Sequence, residues 1–237
     1  MGDLTNRRTQ GPVSVIEMTD PGRKNAMNTA MLKDLLMRLD EVGADGSSAV
    51  VITGTDGVFS SGADVSEQVD ADGAVARMRL FCMLYERVLG FPKPLVAAID
   101  GHCIGAGAEV AAGCDQRVGT AGARIRFPGS VFGIPIGAAR LPLLIGVSHA
   151  KDLLMTSRTI AGEEAYRIGL LNRLVSPEEL LIQAIEIAAV MAGNVASVGQ
   201  KRLIDEYSDA TLRTLKENRG LEAWQKVAGL DGFQIRP

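Results

Sequence analysis

The sequence predicts an α/β core followed by a helical appendage, and three features carry that expectation. Short apolar runs alternate with amphipathic helical stretches over residues 13–174, whereas the chain after Pro177 reads as helix alone. Glycine is abundant, 27 of 237 residues, while aromatic residues are only 4%. That pairing points to tight turns and close backbone approaches rather than to aromatic packing. With 46% apolar residues, the chain can bury the core of one large domain or of a domain with a small appendage.

Four runs read as strands: Val13–Met18, 49–53, Leu95–Ile99 and 171–175, each bounded by Gly, Pro, Asp or Asn. Between them, residues 28–42 read as a helix that starts at an Asn28 cap and stops before Gly43. Met31, Leu32, Leu35, Leu36 and Leu39 recur along it at helical spacing. Residues 74–89 form a second such stretch, ended by Gly90 and Pro92. Ser176-Pro177-Glu178-Glu179 then has the composition of a helix start, and further helices are expected over 196–207 and 209–227. The expected organisation is therefore residues 1–176 as core and 177–237 as a helical region packed on that core or on a neighbouring subunit.

Composition also excludes several functions. The formal net charge is −3 with no long run of one sign, which fits neither a nucleic-acid stripe nor a polybasic membrane patch. No stretch approaches the ~18 uninterrupted apolar residues of a membrane span, so none is expected. Residues 1–10 are polar and lack the apolar segment of a signal peptide. Cys82, Cys103 and Cys114 are odd in number and irregularly spaced, and with His102 and His149 they make no convincing zinc site. Buried, reduced thiols and a cytoplasmic location are expected, with no metal.

Two segments carry the chemistry. Val50-Val51-Ile52-Thr53-Gly54 runs into Phe59-Ser60-Ser61-Gly62-Ala63-Asp64, a buried strand entering a small-residue loop. Leu95–Ile99 runs through Asp100-Gly101 into Ile104-Gly105-Ala106-Gly107-Ala108-Glu109, where the small-residue turn opens a helix. Small side chains let a ligand approach the backbone, and free N–H groups at a helix start are good anion donors. Two such turns aimed at one point would form an oxyanion hole for a carbonyl that gains negative charge. Glu109 follows Ala106 by three residues and shares its helix face. No cation neighbours it in sequence, so burial would make it a proton carrier, the alternative being a solvated helix-face Glu. A dinucleotide fingerprint does not fit, because Val110 stands where the third glycine would be. A nucleophile elbow is absent, and His102, alone beside the turn, reads as a packing residue.

These residues resemble the enoyl-CoA hydratase/isomerase, or crotonase, family. Asp20-Pro21-Gly22-Arg23-Lys24-Asn25-Ala26-Met27-Asn28 is similar to the family's early Asn-Ala-Leu-Asn stretch, and 59–64 to its first oxyanion turn. Lys93-Pro94 through Glu109 to Cys114-Asp115 resembles the central signature, Phe127-Pro128 and Gly133 the next loop, and 157–175 the segment before the C-terminal helices. The resemblance implies a crotonase-like spiral of ββα turns, trimers or hexamers, and a coenzyme A thioester as substrate with no separate cofactor. It places the oxyanion donors on Ala63 and Ala106 and the catalytic carboxylate on Glu109. Substrate contacts are implied at Arg23, Lys24, Ala26, Ser61, Gly62, Ala63, Asp64, Val65, Gly105, Ala106, Gly129 and Phe132. One departure stands out: where the family's hydratases carry a second Glu after the proline matched by Pro128, this chain has Gly129. Three readings stay open: enoyl-CoA hydration with one carboxylate, a non-catalytic acyl-CoA binder, or another enolate reaction such as decarboxylation, C–C cleavage or thioester hydrolysis.

Overall fold

The computed structural model describes residues 4–228. β1 (Thr5–Gln10) and β2 (Val13–Met18) form an antiparallel hairpin, and α1 (Thr29–Ala44) follows. The Asn28 side chain accepts the Met31 N–H at 2.9 Å, so the expected cap closes the helix start. β3 (Ala49–Gly54), α2 (Ala71–Leu89), β4 (Leu95–Ile99), β5 (His102–Ile104) and α3 (Ala106–Gly113) come next. β6 (Gln116–Thr120), β7 (Arg124–Arg126), α4 (Leu141–Thr156), β8 (Ile160–Ala161), α5 (Gly162–Arg167) and β9 (Arg173–Val175) complete the α/β part. Three helices remain: α6 (Leu180–Gly193), α7 (Ser197–Tyr207) and α8 (Ala210–Ala228).

The strands form two sheets, and from β4 onward the chain passes back and forth between them. The larger has the order β1-β2-β3-β4-β6-β9, parallel except for the β1–β2 pair, and the smaller the order β5-β7-β8. β4, β5 and α3 make one ββα turn, and β6 and β7 lead into the next, which winds the chain into the expected spiral.

Strand alternation assigns the two faces of the large sheet. Ile16, Val50, Ile52, Leu95 and Ala97 enter the main core with Leu32, Leu35, Phe81 and Leu84 of α1 and α2. Val13, Val15, Ala49, Val51, Val96 and Ala98 face the other way, onto Leu180, Ala184, Ile185 and Ala188 of α6. Both faces are buried, so the central strands read as continuous apolar runs. α8 folds back onto α2, where Leu221 and Trp224 pack with Met78, Cys82 and Ile134.

Several elements differ from the sequence reading. The last strand begins at Arg173, because the Leu170 and Leu171 N–H groups turn back to the Ala165 carbonyl. α6 begins at Leu180, not at Pro177. The Ser176 hydroxyl bonds the Glu179 carboxylate at 2.9 Å instead of capping N–H groups, and 176–179 closes as a separate turn. β1 occupies a stretch read only as polar, since it is an exposed edge strand. No single helix among the described residues is long and apolar enough to cross a membrane. Cys82, Cys103 and Cys114 are buried free thiols, and burial pushes Cys82 and Cys114 up to about 12.

Candidate active site

The two small-residue turns meet. The Ser60 N–H donates to the His102 carbonyl at 2.8 Å and the Ile104 N–H to the Ser60 carbonyl at 2.9 Å, so the loop after β3 pairs with β5. The Ser60 hydroxyl donates to the Asn25 carbonyl at 2.7 Å and accepts the Gly62 N–H at 3.1 Å, fixing the loop from inside. Asn25 in turn donates from its amide to the Val58 carbonyl at 2.8 Å. Gly62 has φ +92°, and a Cβ there would lie 2.6 Å from the Ile104 carbonyl oxygen and 3.4 Å from the Ala106 nitrogen. A Cβ on Gly107 would meet Ser60 Cβ at 2.7 Å. Glycine is therefore required for the turns to approach this closely. Ala106 is the first residue of α3, where backbone N–H groups have no intrahelical acceptor. Among the described residues, neither the Ala63 nor the Ala106 N–H donates to a protein acceptor.

Ala63 and Ala106 both line a cavity of about 630 Å³. Its wall includes Ala63 and Ala106 and the apolar side chains of Met78, Phe81, Ile104, Phe132, Ile134 and Ile136. Glu109 is set behind that wall, one turn beyond Ala106, with its side chain 2% exposed, which excludes the solvated alternative. No cation neighbours it in sequence, but the fold brings one from 31 residues away. Arg140, just before α4, donates from Nη2 at 2.6 Å and from Nε at 3.2 Å to Glu109 Oε2. The guanidinium also reaches Glu217 Oε2 of α8 at 3.4 Å and sits 5.1 Å from the centre of the Tyr85 ring. Glu109 Oε1 is buried without a hydrogen-bond partner among the described residues. It faces Gly137, where a Cβ would stand 2.8 Å away.

Electrostatics follow from this burial. Desolvation works against the Arg140 charge, but Glu109 and Glu217 more than offset it, so the guanidinium holds its proton more tightly than usual. Glu217 is raised to about 7, first by burial and then by the nearby Glu109 charge, against the lowering effect of Arg140. Burial, with Glu109 next, likewise raises the Tyr85 hydroxyl, whose residue lines the cavity.

The chain matches the family model for enoyl-CoA hydratase/isomerase over residues 8–227. It belongs to that family. A short-chain-enoyl-CoA hydratase of Clostridium acetobutylicum is 35% identical over 192 residues, 78% of this chain and 74% of the relative. A crotonyl-CoA hydratase of Syntrophomonas wolfei is 34% identical over 195 residues, 79% of this chain and 74% of the relative. Among solved structures, an enoyl-CoA hydratase of Bacillus anthracis aligns with TM-score 0.82 at 28% identity, covering 92% of this chain and 90% of that one.

The structure places the residues expected to contact substrate as follows. Arg23, Ala26, Ser61, Gly62, Ala63, Asp64, Val65, Gly105, Ala106, Gly129 and Phe132 all line the cavity. Lys24 does not: it is exposed at φ +54°, and its carbonyl accepts the Ser61 N–H, so its backbone shapes the loop. Arg23 stands at the cavity wall with its side chain 61% exposed, 3.6 Å from Asp64. His102 is exposed rather than a packing residue, and only its backbone supports the site. Ser130 is exposed too, and its hydroxyl pairs with Ser157 at 2.7 Å. Sequence reasoning missed Arg126 and Tyr85 on the wall and the pair of Arg140 and Glu217 behind it. Nothing in the local sequence pattern ties Arg140 to Glu109.

Proposed function

We propose that the chain hydrates a 2-enoyl-CoA thioester, with the Ala63 and Ala106 N–H groups binding the thioester oxygen and Glu109 carrying the proton. The carrying observation is the pair of free backbone donors at two interlocked turns that line an apolar cavity, with one buried carboxylate a helical turn behind. As water adds at C3, negative charge moves onto the thioester oxygen, where such a donor is typically worth ~10²–10³ in rate. Glu109 Oε2 is clamped by Arg140, which leaves Oε1 as the oxygen to take the proton from water and return it at C2. One carboxylate then serves both steps in sequence, so hydration should be slower than with two, by up to ~10²–10⁴. Coenzyme A enters as part of the substrate. Arg23 at the rim is the proposed phosphate contact, with Lys24 adding positive charge nearby. Replacing both by Ala should weaken acyl-CoA binding most at low salt.

The test is loss of conjugated absorbance from crotonyl-CoA. Wild type should turn over, and Glu109→Gln should lower turnover at least ~10²-fold with little change in acyl-CoA affinity. Full-rate hydration by Glu109→Gln would overturn the role of Glu109. A second reading draws on Gly129 and on Glu109 lying behind the wall, which together suit an acyl-CoA binder. Tight binding with no turnover by wild type would favour it.

A further inference from the structure

Three charged side chains are packed together behind the cavity, and the hydratase reading gives no role to one of them, Glu217. Their exposures are 2% for Glu109, 4% for Arg140 and 7% for Glu217. They come from α3, from the residue before α4 and from α8, so the cluster is tertiary and no local element requires it. Two carboxylates and one guanidinium leave an excess negative charge in a dry space, which is costly unless one carboxyl keeps a proton. The guanidinium's closer contacts, 2.6 and 3.2 Å, go to Glu109, and Glu217 is the more distant partner at 3.4 Å. The Ala139 N–H donates to Glu217 Oε1 at 3.0 Å, and Arg140 also donates to the Thr214 hydroxyl at 3.4 Å. From α2, Tyr85 and Cys82 face the same cluster.

We propose, on the reading that Glu109 carries the proton in hydration, that Glu217 of α8 is a positioning residue that controls Glu109 through their shared guanidinium. With Glu217 protonated, Arg140 neutralises Glu109 alone. When Glu217 ionises, a second negative charge appears beside Glu109 and competes for the same guanidinium. More of the Glu109 charge is then free to draw a proton from water. The Gly129 position carries no carboxylate, and Glu217 comes from a helix none of whose residues line the cavity. Burial places the Glu217 transition at about 7.

Two measurements test this. In the first, the crotonyl-CoA turnover of wild type should rise as pH passes through about 7. Glu217→Gln should flatten that rise, losing about tenfold above pH ~8 and less than about twofold below pH ~6, with KM within about twofold. A Glu217→Gln profile parallel to wild type overturns the proposal, because a purely structural role would lower turnover equally at every pH. Glu217→Asp should restore part of the rise. The second measurement needs no turnover: the infrared band of a protonated buried carboxyl should disappear with a midpoint near 7 in wild type. In Glu109→Gln the midpoint should fall by about one unit or more, because the neighbouring charge is gone. A wild-type protein with no carboxyl band titrating between about pH 6 and 8, or a midpoint unmoved in Glu109→Gln, overturns the coupling. Wild type inactive on every enoyl-CoA tried would instead mark failure of the reaction reading, with the coupling judged by the infrared band.

Discussion

At Gly129 the missing carboxylate has left no gap. A Cβ there would lie 2.6 Å from the Ile134 carbonyl oxygen and 2.8 Å from Ile136 Cγ2, because the Ile134 N–H donates to the Gly129 carbonyl at 2.8 Å and draws the loop in. Glu at this position would have to push backbone aside. Gly129→Glu should therefore destabilise by about 1–3 kcal/mol, the usual range for overpacking, and should not accelerate hydration. Thermal unfolding and the crotonyl-CoA assay check both parts; a stable, faster variant would show that the loop yields. The sequence revealed the substitution itself but not the closure of the loop, which depends on contacts with residues five and seven positions on. Glu109 shows the same limit. Its place in the motif was legible, yet its cation lies 31 residues away, where only the fold brings it near.

Among the elements, α8 was legible in extent but not in its inward face. Its larger apolar residues include Leu212, Leu215, Leu221 and Trp224. Only Leu221 is fully buried, and Leu212 is exposed. The inward stripe instead includes Ala210, Thr214, Asn218, Leu221 and Gln225, at helical spacing but largely polar. Asn218 explains how a polar stripe can pack, since it donates to the Cys82 carbonyl at 3.1 Å and to Glu86 Oε1 at 2.8 Å. Glu217 makes this docking pH-dependent. Its carboxyl rises from 4.5 to about 7 on folding, so the folded state binds the extra proton. That contribution is complete below about 4.5 and is lost as pH rises through about 7. The melting temperature should fall between those values, and Glu217→Gln should flatten the fall. An unchanged pH dependence in that variant would place the titrating group elsewhere.

For the whole molecule, β2, β3 and β4 of the large sheet were readable because they are covered on both faces, leaving unbroken apolar runs between turn residues, whereas β1 (TNRRTQ) and β6 (QRVGT) carry polar residues and were not read as strands. The small sheet was not, since β5, β7 and β8 have three, three and two residues and carry no period of their own. The tail is covered only in part. Leu203 is 49% exposed, Ile204 65% and Tyr207 82%, an apolar patch on α7 that a second copy would hide. A trimer or a hexamer is the expected assembly. Light scattering at micromolar concentration should report at least the trimer mass, and a monomer would count decisively against it.

The pairing of Ser60 with β5 has a kinetic meaning for the backbone. Ser60 and Ile104 hold their amide protons in the bonds that join the two turns, so these protons should exchange with solvent slowly and as one unit. Ala63 and Ala106 lie within a few residues of them, on the same braced backbone, with their amide protons uncommitted. Fast exchange at those two positions would then reflect vacancy rather than mobility. A bound thioester would slow both together, because neither turn can shift without carrying the other.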